Sequence, residues 1–351
     1  MHKKLDFLVN LEGLRAFAVI SVMISHWLNA SYLFRIPFGH AGVQVFFVLS
    51  GFLISRILLN ERAKNKELNK SLKTFYIRRT LRIFPLYYLV LALLLALNVG
   101  DIRSGAIWHL TYTSNFYNLA HEGWQFPSHF WSLAVEEQFY LVWPLIILAM
   151  PIKWLKQSIW FCFLLGLLLR WGGALLGGIR MYSMIPFVNF DALAGGALIA
   201  YYSAERVKKL FKTHIWIGLF VTWCSIWLMD NFQISTHTLR AAQHTIMILL
   251  FIGIVASLAT TKQLKFSSVV FGNSFIRYIG KISYGIYIIH MFAPKFWRWL
   301  SQKDFLSQYS DWFVFGWSAL FLNLAFTIIL AGVSWRIIES PINRLKARFS
   351  S

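Results

Sequence analysis

Two ionisable residues near the start of the chain lie in an apolar stretch, where charge is costly and is retained for a structural or chemical task. Arg15 and His26 are eleven residues apart, which is three helical turns, so they share one helix face at a separation of about 16 Å. Either His26 is a general base beyond an anion-binding Arg15, or Arg15 pairs with Glu12 and His26 is a hydrogen-bonded core histidine. The spacing favours neither interpretation.

A second group of polar residues also has helical spacing. Intervals of three, four and four residues place four side chains on one helix face: His129, Ser132, Glu136 and Tyr140. Glu137 lies one position further round, and we expect it to face other helices as well, because a lipid-facing carboxylate is unfavourable. The two glutamates either orient or charge a histidine, or they neutralise buried arginines. We favour a position at or near a site.

Three arginines precede the third apolar stretch: Arg78, Arg79 and Arg82. Guanidinium groups bind phosphate oxygens in bidentate pairs, so one interpretation is a cluster that binds a phosphorylated ligand. Basic residues are also common at the cytoplasmic ends of membrane spans. Spacing alone favours this second, ordinary interpretation.

Further polar residues lie in apolar stretches: Ser50, Asp191, Ser283, Tyr287 and His290. The last three have helical spacing. For all five, a polar contact between helices is at least as well supported as catalysis. The two cysteines also lie in apolar stretches, and the sequence has no zinc motif, phosphate-cradling glycine loop or nucleophile elbow, so we predict no metal site.

The elements that position these residues are indicated by the composition. Hydrophobic residues make up 58% of the 351 residues and charged residues only 14%, whereas soluble domains carry roughly 25% charged residues. Apolar stretches long enough to cross a bilayer occur about ten times, near residues 13–30, 41–59, 83–99, 131–150, 158–177, 186–203, 214–230, 240–259, 282–300 and 311–335. We therefore predict an all-α, polytopic membrane helical bundle of about ten transmembrane helices.

The basic residues orient this bundle. The net charge is +20, but the basic residues lie in short connections between apolar stretches, so we expect no nucleic acid as a partner. With the N-terminus in the cytoplasm, one set of connections holds 25 Lys and Arg residues and the opposite set holds 7. The positive-inside rule then predicts that both termini are cytoplasmic. No long hydrophilic stretch occurs, so we expect a single integral membrane domain over residues 1–351, without an appended soluble domain.

Six segments in order resemble the bacterial membrane-bound acyltransferase-3 family, which includes O-antigen and other surface-glycan acetylases. They are residues 11–16 with His26, 46–54, 78–87, 131–140, 283–287 with His290, and 339–341. Any one segment is a weak match, whereas their ordered combination is specific. Glu12 stands where the family usually has Asp, which keeps the acidic character.

The resemblance implies O-acyltransfer, most often of acetyl, from acyl-coenzyme A to a carbohydrate hydroxyl on a cell-surface polysaccharide or its lipid-linked precursor. It implies a multi-pass protein of the bacterial cytoplasmic (inner) membrane. The expected partners are the lipid bilayer, the acyl-CoA donor and the carbohydrate acceptor, with acetyl-CoA as a substrate and no bound cofactor. The alternative is a proton-coupled transporter or exporter of a glycan intermediate, since buried His, Glu and Arg also suit proton coupling. The oligomeric state stays open.

Carried onto this sequence, the resemblance implies three groups of site residues. The expected catalytic residues are His26, Glu136 and Glu137, with His26 as general base and a glutamate orienting it or stabilising its imidazolium. The expected acyl-CoA-binding residues are Arg15, Arg78, Arg79 and Arg82. The residues expected to line the substrate site are Ser50, His129, Trp131, Ser132, Tyr140, Asp191, Tyr287 and His290.

Overall fold

The structure is a computed structural model that describes residues 9–27, 38–176, 183–232, 236–260, 271, 273–302 and 316–349. Within these ranges the chain forms helices joined by turns and short connections, and no β-strand is present there. The predicted all-α class is therefore confirmed for this part of the chain.

The helices follow one another with short connections. The first half of the chain forms α1 (Val9–Trp27), α2 (Phe38–Arg62), α3 (Leu68–Leu97), α4 (Ala106–Leu110), α5 (Ser114–Ala120), α6 (Phe130–Ala149) and α7 (Ile152–Leu175). The second half forms α8 (Phe190–Tyr202), α9 (Ala204–Leu210), α10 (Thr213–Asn231), α11 (His237–Leu258), α12 (Ser274–Lys281), α13 (Ser283–Ile289), α14 (Ala293–Ser301), α15 (Gly316–Ser334) and α16 (Ser340–Arg344). A π-helical turn (Trp335–Glu339) joins α15 to α16, and 3-10 turns occupy Val99–Gly105, Pro186–Asn189 and Leu345–Phe349.

Six helices in the described ranges are long and apolar enough to cross a membrane: α2, α3, α6, α7, α11 and the continuous helix over Trp317–Phe349. The prediction of about ten spans is thus confirmed only in part. The stretch predicted at 186–203 forms the 13-residue α8, which is about 20 Å long and shorter than the hydrocarbon core of roughly 30 Å. The stretch predicted at 282–300 is divided between the short helices α13 and α14.

Glycines allow α8 to pack closely on α2. A Cβ atom at Gly51 would overlap the backbone carbonyl of Leu193, and one at Gly196 would overlap that of Val48. The two backbones are therefore in contact, as small residues permit between helices. Because α2 and α8 each carry a predicted polar residue, this contact fixes where those residues lie relative to each other.

Helix α2 is the most buried of the six long helices and packs against α1, α6, α8 and α11. Large aromatic side chains fill the space around it, and Trp143, Phe47 and Phe139 are almost fully buried. The indole of Trp143 donates a hydrogen bond to Ser55 Oγ at 2.7 Å, so its polar atom is satisfied in the core. This packing gives the polar residues of α1, α2, α3 and α6 a rigid support.

Candidate functional site

A pocket lies between α1, α2, α3, α6 and α13 and contains about 660 Å³ of space not occupied by atoms, including space open to solvent. The polar side chains around it are Arg15, Ser50, Arg79, Arg82, Ser132, Glu136, Glu137, Tyr140, Ser283, Tyr284 and Tyr287. Five helices that are distant in sequence thus bring nine of the predicted site residues to one cavity.

A chain of hydroxyl groups fixes the carboxylate of Glu136. The hydroxyl of Ser50 donates to Glu136 Oε1, and the phenol of Tyr140 donates to Ser50 Oγ at 3.1 Å. Glu136 and Tyr140 are four residues apart on α6, which places them on one face opposite Ser50 of α2. The predicted face of α6 therefore forms one wall of the pocket, and Glu137 lines it as well.

The three arginines of the pocket form no ion pair within the described residues. None of the ion pairs in that part of the chain includes Arg15, Arg79 or Arg82. The Nε atom of Arg15 is buried and has no hydrogen-bond partner among the described residues. The guanidinium of Arg79 lies over the Tyr140 ring, 5.3 Å from its centroid. Such groups have hydrogen-bond donors left for an anion.

Arg78 and Trp131 do not line the pocket. Arg78 is exposed one position before Arg79 on α3. Trp131 is buried and meets the ring of Phe47 edge-on, with 6.2 Å between centroids. Its role in the structure is packing between α6 and α2. Tyr284, which the sequence did not single out, lines the pocket and donates to the carbonyl of Ile83 at 2.7 Å.

His26 lies outside the pocket and contacts another histidine. Its Nδ1 atom is 3.0 Å from Nε2 of His290, and His26 as a whole is an exposed residue. His290 is fully buried, and its Nδ1 donates to the carbonyl of Tyr287 at 2.7 Å. The indole of Trp27 donates to the carbonyl of His290 at 3.1 Å, so the end of α1 is tied to the end of α13.

His129 completes a cluster of three histidines. Its ring centroid is 4.8 Å from that of His290, and its Nε2 donates to the carbonyl of Ile288 at 3.2 Å. The hydroxyls of Ser132 and Tyr287 are hydrogen-bonded to each other, and both lie within hydrogen-bonding distance of the His129 carbonyl, which accepts the proton that this bond does not use. Because Ser132 and Tyr287 line the pocket, the histidine cluster begins where the pocket ends.

Two pairings that the sequence analysis considered are not formed among the described residues. Glu12 pairs with Arg277 of α12 at 3.4 Å rather than with Arg15. Glu136 is held by Ser50, and no hydrogen bond in the described residues joins it or Glu137 to His26. The role of the two glutamates towards His26 stays a prediction. The residue hydrogen-bonded to His26 is His290, and the sequence signal for it was only the shared face of Ser283, Tyr287 and His290.

Asp191 belongs to a second polar cluster. Arg170 of α7 donates to both of its carboxylate oxygens, at 2.5 and 3.1 Å, and also to the carbonyl of Val188. His244 lies 4.0 Å from the same carboxylate and is hydrogen-bonded to His40 at 2.7 Å. Asp191 does not line the pocket. Among the described residues, no three His, Cys, Asp or Glu side chains are arranged to hold a metal ion.

Comparisons with known proteins identify a family and several relatives. A family model described as an acyltransferase domain matches residues 8–332. The chain is 29% identical over 382 aligned residues to the peptidoglycan O-acetyltransferase OatA of Listeria monocytogenes serovar 1/2a, an alignment that covers 96% of this chain and 56% of the relative. It is 27% identical to the putative peptidoglycan O-acetyltransferase YrhL of Bacillus subtilis strain 168, over 96% of this chain and 55% of the relative.

A putative O-acetyltransferase of Staphylococcus aureus strain COL is also 27% identical, over 98% of this chain and 58% of the relative. The chain thus spans a little more than half the length of the curated relatives it matches. No solved structure matches the chain.

Proposed function

Because the chain belongs to the acyltransferase-3 family, we propose that it is a membrane O-acetyltransferase that moves an acetyl group from acetyl-coenzyme A to a hydroxyl of a cell-wall polysaccharide. The proposal rests chiefly on the pocket, in which three arginines that form no ion pair within the described residues lie beside two glutamates and several hydroxyls. Two relatives are named for peptidoglycan, which makes peptidoglycan the first acceptor to test.

In this proposal the pocket holds the donor. Coenzyme A carries several phosphates, and Arg79 and Arg82 supply donors that suit phosphate oxygens. Arg15, deeper along α1, contacts the pantetheine arm. His26 lies three turns beyond Arg15, about 16 Å along the helix axis, so the long arm carries the acetyl group from the arginines toward the histidine. Glu136 and Glu137 act at the donor end.

In the proposed chemistry His26 removes the proton from the acceptor hydroxyl. The resulting oxygen attacks the thioester carbon, and a new C–O bond replaces the C–S bond. The proton taken up by His26 passes to the departing coenzyme A sulfur, so the products are the acetyl ester and free coenzyme A. An acyl-histidine intermediate is not required by this sequence of steps.

We further propose that residues 1–351 form one integral membrane domain of the bacterial cytoplasmic membrane, with about ten crossings and both termini in the cytoplasm. The unequal distribution of Lys and Arg supports this orientation. One apolar core that runs from α1 to α15 supports a single domain. Reporter fusions at both ends and at residue 103 test the orientation, because residue 103 would then lie on the opposite side.

The test of activity uses the full chain in lipid nanodiscs with acetyl-CoA labelled in the acetyl group. With peptidoglycan oligomers and no ion gradient, we expect label to appear as an ester on the glycan. The His26→Ala variant should lose this transfer while keeping donor binding. Labelled glycan produced equally well by His26→Ala would remove His26 from the chemistry.

The same assay separates the enzyme from a transporter. A transporter would move a glycan without consuming acetyl-CoA and would require a gradient. Donor turnover without a gradient therefore supports the transferase, and uptake or export without donor turnover would overturn it. If acetyl-CoA is bound but peptidoglycan is not esterified, the donor assignment stands and the acceptor is wrong.

A further inference from the structure

We infer that His290 is a positioning residue that fixes the tautomer of His26 and leaves Nε2 of His26 as the basic atom. This inference rests on the proposed function, in which His26 accepts a proton. It concerns a pair of atoms that the sequence did not bring together, since the two residues are 264 positions apart.

The direction of each hydrogen bond follows from a backbone carbonyl. The carbonyl oxygen of Tyr287 can only accept, so the bond of 2.7 Å to His290 Nδ1 requires a proton on that nitrogen. The His290 ring is fully buried, and none of the ion pairs in the described ranges gives it a carboxylate partner. Burial without such a partner favours the neutral ring. A neutral ring has one N–H group, so Nε2 of His290 is an acceptor.

The tautomer of His26 follows from that of His290. Its Nδ1 atom lies 3.0 Å from an acceptor, so Nδ1 carries the proton and donates it to His290 Nε2. Nε2 of His26 is therefore the nitrogen with a free lone pair. His26 is an exposed residue, so an acceptor hydroxyl can approach its side chain.

The surroundings hold His290 in place for this task. Its backbone carbonyl accepts the indole N–H of Trp27, the neighbour of His26, so the two histidines are linked through backbone as well as side chain. The His129 ring packs against His290 at an angle of 67°. In hydrolase triads a carboxylate holds the catalytic histidine in one tautomer. Here a neutral histidine with a fixed proton does so.

Two amide substitutions distinguish the roles of the two ring nitrogens of His290. The amide of His290→Asn can replace Nδ1 at the Tyr287 carbonyl but does not extend to His26. The longer His290→Gln can present its carbonyl oxygen near the position of Nε2. We expect the transfer rate at saturating acetyl-CoA to fall about a hundredfold in His290→Asn, because base catalysis contributes roughly 10²–10⁴-fold. We expect His290→Gln to stay within about tenfold of the unmodified chain.

The Michaelis constant for acetyl-CoA should be unchanged in both variants, because His290 does not line the pocket. Equal rates for His290→Asn and His290→Gln would overturn the inference. So would a loss confined to the Michaelis constant for acetyl-CoA. If the unmodified chain transfers acetyl and His26→Ala does not, the proposed function stands whatever the amide variants do.

A second measurement does not depend on activity or on the stability of any His290 variant. Solid-state ¹⁵N NMR of the full chain with labelled histidine reports which ring nitrogen is protonated, and the His26 signals are those absent from His26→Gln. We expect a protonated Nδ1 and an unprotonated Nε2 for His26. The opposite tautomer would overturn the inference even if the enzyme is active.

Discussion

The pocket and the Arg170–Asp191 cluster contain the same kinds of side chain in opposite states of pairing. Arg170 uses three hydrogen bonds within the protein and is 2% exposed, and Asp191 is fully buried. Arg15, Arg79 and Arg82 have no such partners in the part of the chain that the structure describes, although two glutamates line the same pocket. A saturated arginine holds helices together, whereas an unsaturated arginine beside a cavity is available to a ligand.

The largest expected effect concerns stability at the paired cluster. Asp191→Asn leaves the Arg170 charge buried without compensation, and breaking a buried ion pair costs about 3–5 kcal/mol. We expect a large drop in unfolding temperature in nanodiscs, with acetyl-CoA affinity preserved in the folded fraction. The double variant Arg170→Met with Asp191→Leu removes both charges and should recover most of the stability. A stable Asp191→Asn variant without transfer activity would place Asp191 in the site.

A smaller effect is expected on donor binding at the unpaired arginines. Arg82→Gln removes charged hydrogen bonds that contribute about 1.5–3 kcal/mol, which corresponds to roughly 10- to 100-fold in the dissociation constant of acetyl-CoA. Stability should not fall, because Arg82 has no ion-pair partner in the described residues. The matched control is Arg78→Gln, which changes an exposed arginine outside the pocket. If both variants bind acetyl-CoA equally weakly, the effect comes from the overall surface charge and not from contacts in the pocket. Calorimetry at two salt concentrations measures these affinities and their dependence on charge screening.

A third substitution perturbs the contact between α2, which lines the pocket, and α8, which carries Asp191. Gly51→Ala places a methyl group against the Leu193 carbonyl of α8, and overpacking of this kind costs about 1–3 kcal/mol. Gly218→Ala on α10 is the matched control, since its methyl group meets no atom within 4 Å. We expect thermal unfolding to show a loss for the first and no loss for the second. Equal stability of the two variants would mean that α2 and α8 can separate without cost.

The smallest effect is expected at Glu12 and Arg277. Both side chains are partly exposed, and such pairs contribute about 0.2–1 kcal/mol. Glu12→Gln should therefore change stability slightly and leave acetyl-CoA affinity as it is, because Glu12 does not pair with Arg15 in this structure. A large change in donor affinity, measured by the same calorimetry, would show that Glu12 acts on the pocket.

The sequence predicted which residues share a helix face but not which faces meet. The spacing of Ser132, Glu136 and Tyr140 correctly placed them on one wall of α6, because the helical period alone decides this. The partners of Glu12 and His26 come from helices more than 260 positions away, and only the packing of α1 against α12 and α13 selects them. Helix period carries no information about that packing.

The span count is confirmed only in part for a related reason. Hydropathy recognised the stretches that form α8, α13 and α14, but an apolar stretch is not always a continuous helix. At α8, Pro186 starts a separate 3-10 turn, and the remaining helix is only 13 residues long. The apolar residues of α8 reflect burial within the protein, because α2 and α7 cover α8 along much of its length.

Tyr287 contacts both the pocket and the pair formed by His26 and His290. Its phenol borders the space proposed for the donor, and its backbone carbonyl holds the proton of His290. These two groups belong to the seven-residue helix α13, so a movement of that helix on donor entry would act on the histidine pair in the same step. In the proposed reaction such a movement would limit hydrolysis of the thioester, because the base would be in position only when the donor occupies the pocket.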